Sequence, residues 1–68
     1  MPRGIIQDIE ESAKPGLWWL HFQNDRYCYI DKVWKELLET KYNNLIRGKP
    51  IRYHLDTDQT IFLIQYGW

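Results

Sequence analysis

The stretch LWWLHFQNDRYCYID, residues 17–31, decides the fold of this chain. Its first six residues are continuously bulky, as in a strand. Its second half alternates, so that Tyr27 and Tyr29 share one face of a strand. Cys28 and Ile30 share the other face, where a cysteine packs as a small hydrophobic residue. The Asn-Asp pair between the halves tolerates the left-handed backbone of a tight turn. The sequence therefore predicts an antiparallel hairpin with strands Leu17–Phe22 and Arg26–Ile30.

Further strands are predicted on both sides of this hairpin. Residues 4–10 mix β-branched and polar residues, as in a strand with one solvated face, and Pro15-Gly16 after them fits the centre of a type II turn. Residues 51–55 alternate cleanly, and residues 60–66 are apolar almost throughout. The residues expected to point inward from the fourth strand are Ile51, Tyr53 and Leu55.

The hydrophobic period changes between the third and fourth strands. Asp31 is a good N-cap, and apolar residues then recur at the i, i+4 spacing of a helix. Gly48, with Pro50 behind it, is a stop signal, so we predict a helix over Lys32–Ile46. The expected apolar stripe is Val33, Trp34, Leu37, Leu38, Tyr42, Leu45 and Ile46. The expected solvated face is Lys32, Lys35, Glu36, Glu39 and Asn43.

The predicted order is three strands, one helix and two strands in 68 residues, which is enough chain for a single domain over residues 1–68. Five short strands leave open edges that invite aggregation, and closure into a barrel removes those edges. We therefore expect a mostly β fold, a small five-stranded barrel of OB-like type with one α-helix between strands 3 and 4.

The spacing of four segments resembles the cold-shock and S1-type branch of the OB-folds. These segments are Gly4-Ile5-Ile6, Gly16-Leu17-Trp18-Trp19-Leu20, Asp25-Arg26-Tyr27-Cys28-Tyr29-Ile30 and Leu45-Ile46-Arg47-Gly48-Lys49-Pro50-Ile51. Two positions depart from the cold-shock pattern: Trp18 replaces a glycine, and Asp8 replaces an aromatic residue. With so long a predicted helix, the S1-like or initiation-factor-like variety is the closer comparison.

The resemblance implies that strands 2 and 3 present side chains outward on which single-stranded RNA or DNA bases stack. The corresponding positions are Leu17, Trp19, Tyr27 and Tyr29. Stacking of bases on exposed rings needs no sequence readout and is worth about 1–3 kcal/mol per base. Basic residues on adjacent loops and strands would contact phosphates, and these are Lys14, Arg26 and Arg52.

An alternative is that the aromatic residues serve packing or a protein partner. Aromatic residues make up 16% of the chain, and a small barrel needs large side chains inside. We expect Trp18, Phe22, Trp34, Tyr53 and Phe62 to lie in the core. The outward rings would suit a nucleic-acid ligand or the docking face of an OB-like or SH3-like adaptor equally well. The zero net charge favours the adaptor, and the aromatic pattern favours nucleic acid. We expect a protein that binds single-stranded nucleic acid, with the adaptor as the alternative.

Other classes of function find little support in the sequence. His21, His54 and Asp56 invite a metal reading, but zinc needs at least three converging ligands, and Cys28 is expected to point inward. Ser12 has no usable base beside it, so we expect neither an enzyme nor a cofactor. The chain has no apolar run of membrane-spanning length, and its start turns polar too early for a signal peptide. We expect a cytoplasmic protein without membrane partners.

Overall fold

The computed structural model describes residues 2–67. It contains five antiparallel strands and one helix in the predicted order. Their bounds are β1 Arg3–Glu11, β2 Leu17–Phe22, β3 Tyr27–Asp31, α1 Lys32–Lys41, β4 Pro50–Leu55 and β5 Ile61–Tyr66. The strands form one sheet in the order β3-β2-β1-β4-β5, so β1 lies at its centre.

The two outer strands of the sheet, β3 and β5, meet at a single parallel bridge. Tyr29 pairs there with Thr60, and the Tyr29 N–H donates to the carbonyl of Gln59 at 2.9 Å. Over residues 2–67 the bridge does not extend into a ladder. The structure therefore confirms a mostly β domain with one helix, and closure into a barrel stays a prediction.

The core lies on the inner face of the sheet and under the helix. Phe22 and Tyr53 stack at its centre, with ring centroids 4.8 Å apart. A Cβ on Gly4 would come within 2.5 Å of the Phe22 ring, so only glycine lets β1 approach this closely. Trp18 and Trp34 are half-buried at the border of the core. The buried residues are Ile6, Leu20, Phe22, Cys28, Ile30, Leu38, Ile51, Tyr53, Ile61 and Ile64.

Two residues expected to point inward are exposed instead. Phe62 has 54% of its surface exposed, and Leu55 is exposed as well. For Phe62 the cause is an irregularity in the β4–β5 ladder, where Leu55 pairs with Ile61 but His54 pairs with Leu63. Phe62 is left without a partner in the ladder, and a bulge of this kind re-aims the side chain. The core assignment of Phe62 is therefore wrong, whereas Leu55 pairs with the buried Ile61 but is exposed at the end of β4.

The helix begins as predicted but ends earlier. The Asp31 carboxylate accepts from the Trp34 N–H at 2.9 Å, which confirms the N-cap. The helix ends at Lys41 rather than Ile46, because Asn43 and Asn44 adopt left-handed backbone with φ of 52° and 66°. Asparagine tolerates this conformation at a helix end. The stop signal is therefore the asparagine pair, and Gly48 lies in the following loop.

The buried face of α1 is also rotated relative to the expected stripe. Trp34 and Leu38 pack on the core, whereas Val33 and Leu37 are exposed. Lys35 and Glu39 were expected to be solvated but are half-buried. The ammonium of Lys35 lies 5.1 Å from the centre of a Trp18 ring and donates to Glu39 at 3.0 Å, so this side chain packs against the helix and the Trp18 ring.

A bulge in β1 determines which of its side chains face solvent. Ile6 pairs with Phe22, but the next paired residue is Asp8, opposite His21. The extra residue, Gln7, reverses the alternation along the strand. As a result Ile6 points inward, whereas Asp8 and Glu10 join the outer face beside β2.

Candidate functional site

The outer face of β3, β2 and β1 carries two rows of side chains that run across the strands. In one row Tyr29 pairs with Trp19, and Trp19 pairs with Glu10. The second row, listed from β3 to β1, is Tyr27, His21 and Asp8. Side chains directly opposite each other on one face lie within contact distance. Each row therefore runs from an aromatic ring on β3 to a carboxylate on β1.

The three rings form a contiguous aromatic face, by which we mean Trp19, Tyr27 and Tyr29. Trp19 and Tyr29 stack at 4.1 Å between centroids, with 24° between their planes. Tyr27 stands edge-on to Trp19 at 5.2 Å. Tyr27 is 56% exposed, whereas Trp19 and Tyr29 are half-buried by their mutual contact. Tyr27 therefore offers a ligand the most ring surface.

The loop before β2 places a cation over this face. The Lys14 ammonium lies 4.7 Å from the centre of the Tyr29 ring. Gly16 adopts φ of +74°, as the type II turn requires, and the Leu17 N–H donates to the Lys14 carbonyl at 3.3 Å. The Ser12 hydroxyl donates to the carbonyl of Leu17 at 2.7 Å and fixes the loop from the other side.

A polar groove of about 330 Å³ borders the aromatic face on the β1 side. In it, Nε2 of His21 lies 2.6 Å from Oε1 of Glu10, and Arg47 contacts Asp8 at 3.3 Å. The other Asp8 oxygen accepts from the Ile9 N–H at 2.9 Å. The His21 ring also lies 6.1 Å from the Tyr27 ring, so groove and aromatic face are continuous. The groove is lined by Gln7, Asp8, Glu10, His21 and Arg47.

Of the residues predicted to bind nucleic acid, the structure brings most to one surface. Trp19 contacts both Tyr27 and Tyr29, and Lys14 lies over Tyr29. Leu17 lies on the same strand face as Trp19, two residues along β2. Arg26 is exposed in the β2–β3 turn next to Tyr27.

Arg52 lies apart from the aromatic face. It pairs with Arg3 at the start of β1 and with Gln65 on β5. Glu10, which pairs with Trp19, is seven residues further along β1 than Arg3, or roughly 20 Å at the usual rise of a strand. Nε of Arg52 is buried and has no hydrogen-bond partner within residues 2–67. A ligand on the aromatic face would therefore have to cross β1 to reach Arg52.

The residues weighed for metal binding or catalysis do not converge. His21 contacts Glu10, whereas His54 on β4 stacks with Phe62 at 5.7 Å. Across the described residues, no three His, Cys, Asp or Glu side chains are grouped as metal ligands. Cys28 is buried, and burial raises the pKa of its thiol from 9.0 to about 12. In the same part of the chain, α1 is neither long nor apolar enough to cross a membrane.

Sequence reasoning missed the polar groove. Glu10, Gln7 and Arg47 carried no signal of their own, because simple alternation along β1 puts Asp8 and Glu10 on the same face as Ile6. Only the bulge at Gln7 brings them outward. Pairing β1 with β2 and testing both registers would have exposed the conflict, since the regular register buries two carboxylates.

Comparisons with protein-family models, with curated proteins and with solved structures give no match to this chain.

Proposed function

We propose that this protein binds single-stranded nucleic acid, RNA or DNA, by stacking bases on the aromatic face. One observation carries the proposal: Trp19, Tyr27 and Tyr29 meet on one outer surface of the sheet with Lys14 over Tyr29. Every base has a π-face, so such a surface holds successive bases without reading their sequence. An exposed lysine beside the rings adds attraction for the phosphate backbone.

The arrangement of the rings assigns them different roles. Trp19 and Tyr29 stack on each other, so each offers at most one ring face to a ligand. Tyr27 meets Trp19 edge-on, which leaves its faces more accessible. In this proposal Tyr27 stacks a base directly, Trp19 supports it and reports on it by fluorescence, and Lys14 and Arg26 contact phosphates.

The proposal extends to the fold, which we interpret as a closed OB-like barrel resembling the S1-type branch. The strand order β3-β2-β1-β4-β5 leaves β3 and β5 as the two free edges. The parallel bridge between Tyr29 and Thr60 joins β3 to the residue directly before β5. The helix between β3 and β4 packs near β3 and β5 and contributes Leu38 to the core, as expected for a plug at one end of a barrel.

The proposal is tested by titrating the protein with a mixed-sequence oligonucleotide while following tryptophan fluorescence. Binding should quench Trp19, and Tyr27→Ala should weaken the affinity by about 5- to 150-fold, the equivalent of 1–3 kcal/mol for one stacked base. Phe62→Ala is the matched control, because Phe62 is 54% exposed against 56% for Tyr27 but lies on β5. This control should bind like the wild type.

Urea unfolding separates lost binding from lost folding. Tyr27 is exposed, so Tyr27→Ala should change the free energy of unfolding by no more than about 1 kcal/mol. Absence of binding by the wild-type protein would refute the proposed function. Equal losses of affinity in Tyr27→Ala and Phe62→Ala would do the same, because the effect would then have no connection with the aromatic face.

A second candidate function is a protein-docking module without nucleic-acid binding. The observation that favours it is the exposure of Val33 and Leu37, one turn apart on the outer side of α1. Apolar neighbours on a solvated helix face are typical of a surface that another protein covers. Under this alternative, the double variant Val33→Ser/Leu37→Ser would no longer bind the protein partner. Neither the wild type nor Tyr27→Ala would bind an oligonucleotide.

A further inference from the structure

The Glu10 backbone lies in one row of the outer face, but its carboxylate contacts a residue of the other row. It pairs with Trp19 along the backbone, but its carboxylate reaches His21 in the neighbouring row, with 2.6 Å between Glu10 Oε1 and His21 Nε2. His21 in turn pairs with Tyr27. The Glu10 carboxylate therefore stands at the end of the row that begins with the most exposed ring.

The distances across the sheet suit a base lying along this row. β3 and β1 lie about 10 Å apart across β2, and the side chains between them narrow this gap. The His21 ring centre is 6.1 Å from the Tyr27 ring centre, and Glu10 Oε1 lies 2.6 Å from His21 Nε2, so the edge of a base stacked on Tyr27 can face the Glu10 carboxylate. The charges orient it in the same way. Lys14 and Arg26 lie toward β3, whereas Asp8 and Glu10 on β1 repel phosphate. The backbone therefore runs on the β3 side, and the base edge points toward the carboxylates.

The two carboxylates differ in what they can accept. Both Asp8 oxygens are engaged, one by the Ile9 N–H at 2.9 Å and the other by Arg47 at 3.3 Å. Glu10 is engaged by His21, and 62% of its side chain is exposed to solvent. An ionised carboxylate only accepts hydrogen bonds, so Glu10 selects a base edge that offers donors.

Resting on the proposed function, we infer that the site prefers guanine at the position stacked on Tyr27, with Glu10 as the residue that selects it. The pairing edge of guanine presents its N1–H and its N2 amino group side by side, which matches the two oxygens of a carboxylate. Adenine and cytosine place an acceptor next to their amino group, and thymine places its N–H between two carbonyls. Each of these leaves an acceptor facing the carboxylate, which is unfavourable.

The test uses heptathymidylates in which the central thymine is replaced by guanine, by hypoxanthine, which lacks the N2 amino group, or by adenine. Affinities come from the quenching of tryptophan fluorescence at constant salt. Wild-type protein should bind the guanine oligonucleotide about tenfold more tightly than the unsubstituted one, and hypoxanthine should lose most of the gain. Glu10→Gln should abolish the preference, so that this variant binds the guanine and the unsubstituted oligonucleotides with equal affinity.

Two control variants complete the design. Glu36→Gln removes a carboxylate of matched exposure, 63%, from the helix, and Asp8→Asn removes the carboxylate whose oxygens are already engaged. Both should keep the preference for guanine. Equal binding of all four oligonucleotides, or a preference that survives in Glu10→Gln, overturns this inference while the proposed function stands. If none of the oligonucleotides binds, the proposed function fails and this inference fails with it.

Discussion

Burial of Cys28 makes the stability of the protein depend on pH in the alkaline range. Burial raises the pKa of the thiol from 9.0 to about 12, so the folded state keeps it neutral while the unfolded chain ionises above pH 9.0. The buried neutral thiol therefore contributes its full stability to the fold below pH 9.0. This contribution is lost as the pH rises from 9.0 to about 12, because ionisation of the thiol favours the unfolded chain. The rise of the thiol pKa from 9.0 to about 12 limits this loss to about 4 kcal/mol.

Urea unfolding of wild type and Cys28→Ala at pH 8 and pH 10.5 measures this contribution. Cys28→Ala removes a buried atom and should be less stable at pH 8, but its free energy of unfolding should fall less between the two pH values. Parallel pH dependence in both proteins would show that Cys28 is not the group responsible. Burial also raises the pKa of Tyr53, so the variant should retain some alkaline sensitivity.

At the scale of single elements, the N-cap of α1 is a contact that the sequence located correctly. Asp31 accepts from the Trp34 N–H at 2.9 Å, and a ten-residue helix has few other contacts to fix its start. Asp31→Ala should lower the free energy of unfolding by about 1 kcal/mol. Asp31→Asn keeps the acceptor and should cost less than half as much, so equal losses in the two variants would contradict the capping role.

The elements also show where sequence reasoning ends. Strand positions and the helix start follow from alternation, period and capping, which are local properties of the chain. The bulges at Gln7 and Phe62 do not, because they depend on how two strands are paired. The β5 bulge turns Phe62 itself outward, and the β1 bulge reverses the face of Glu10 beyond it, so both exposures could be predicted only from the assembled sheet.

At the scale of the whole molecule, the fold depends on whether the sheet closes into a barrel. Tyr29 donates to Gln59 at the bridge between β3 and β5. In a closed barrel the next parallel bond runs from the Asp31 N–H to β5, and that amide should exchange with solvent as slowly as amides of the central strand β1. Hydrogen exchange followed by NMR measures this directly. Exchange of Asp31 at the rate of a free amide would show that the outer strands meet at one point only.

The charge distribution of the molecule sets how nucleic-acid binding depends on salt. Nine basic and nine acidic residues cancel, so no long-range field contributes, and only cations next to the aromatic face count. Among residues 2–67, Lys14 lies over Tyr29 and Arg26 directly precedes Tyr27. Arg47 in the groove is already paired with Asp8, and Arg52 lies on the far side of β1. Each phosphate contact releases about 0.7 of a counterion from a single strand. With two such contacts, the slope of log K against log salt should be about −1.4.

The slope separates the three basic residues that the sequence grouped together. Lys14→Gln should reduce it to about −0.7, and Arg26→Gln should do the same, because each removes one phosphate contact. Arg52→Gln should leave it unchanged, since this residue pairs with Arg3 and Gln65 away from the rings. A change of slope in Arg52→Gln equal to that in Lys14→Gln would mean that the bound strand crosses β1, and the ligand path would then run over the whole sheet rather than over β2 and β3 alone.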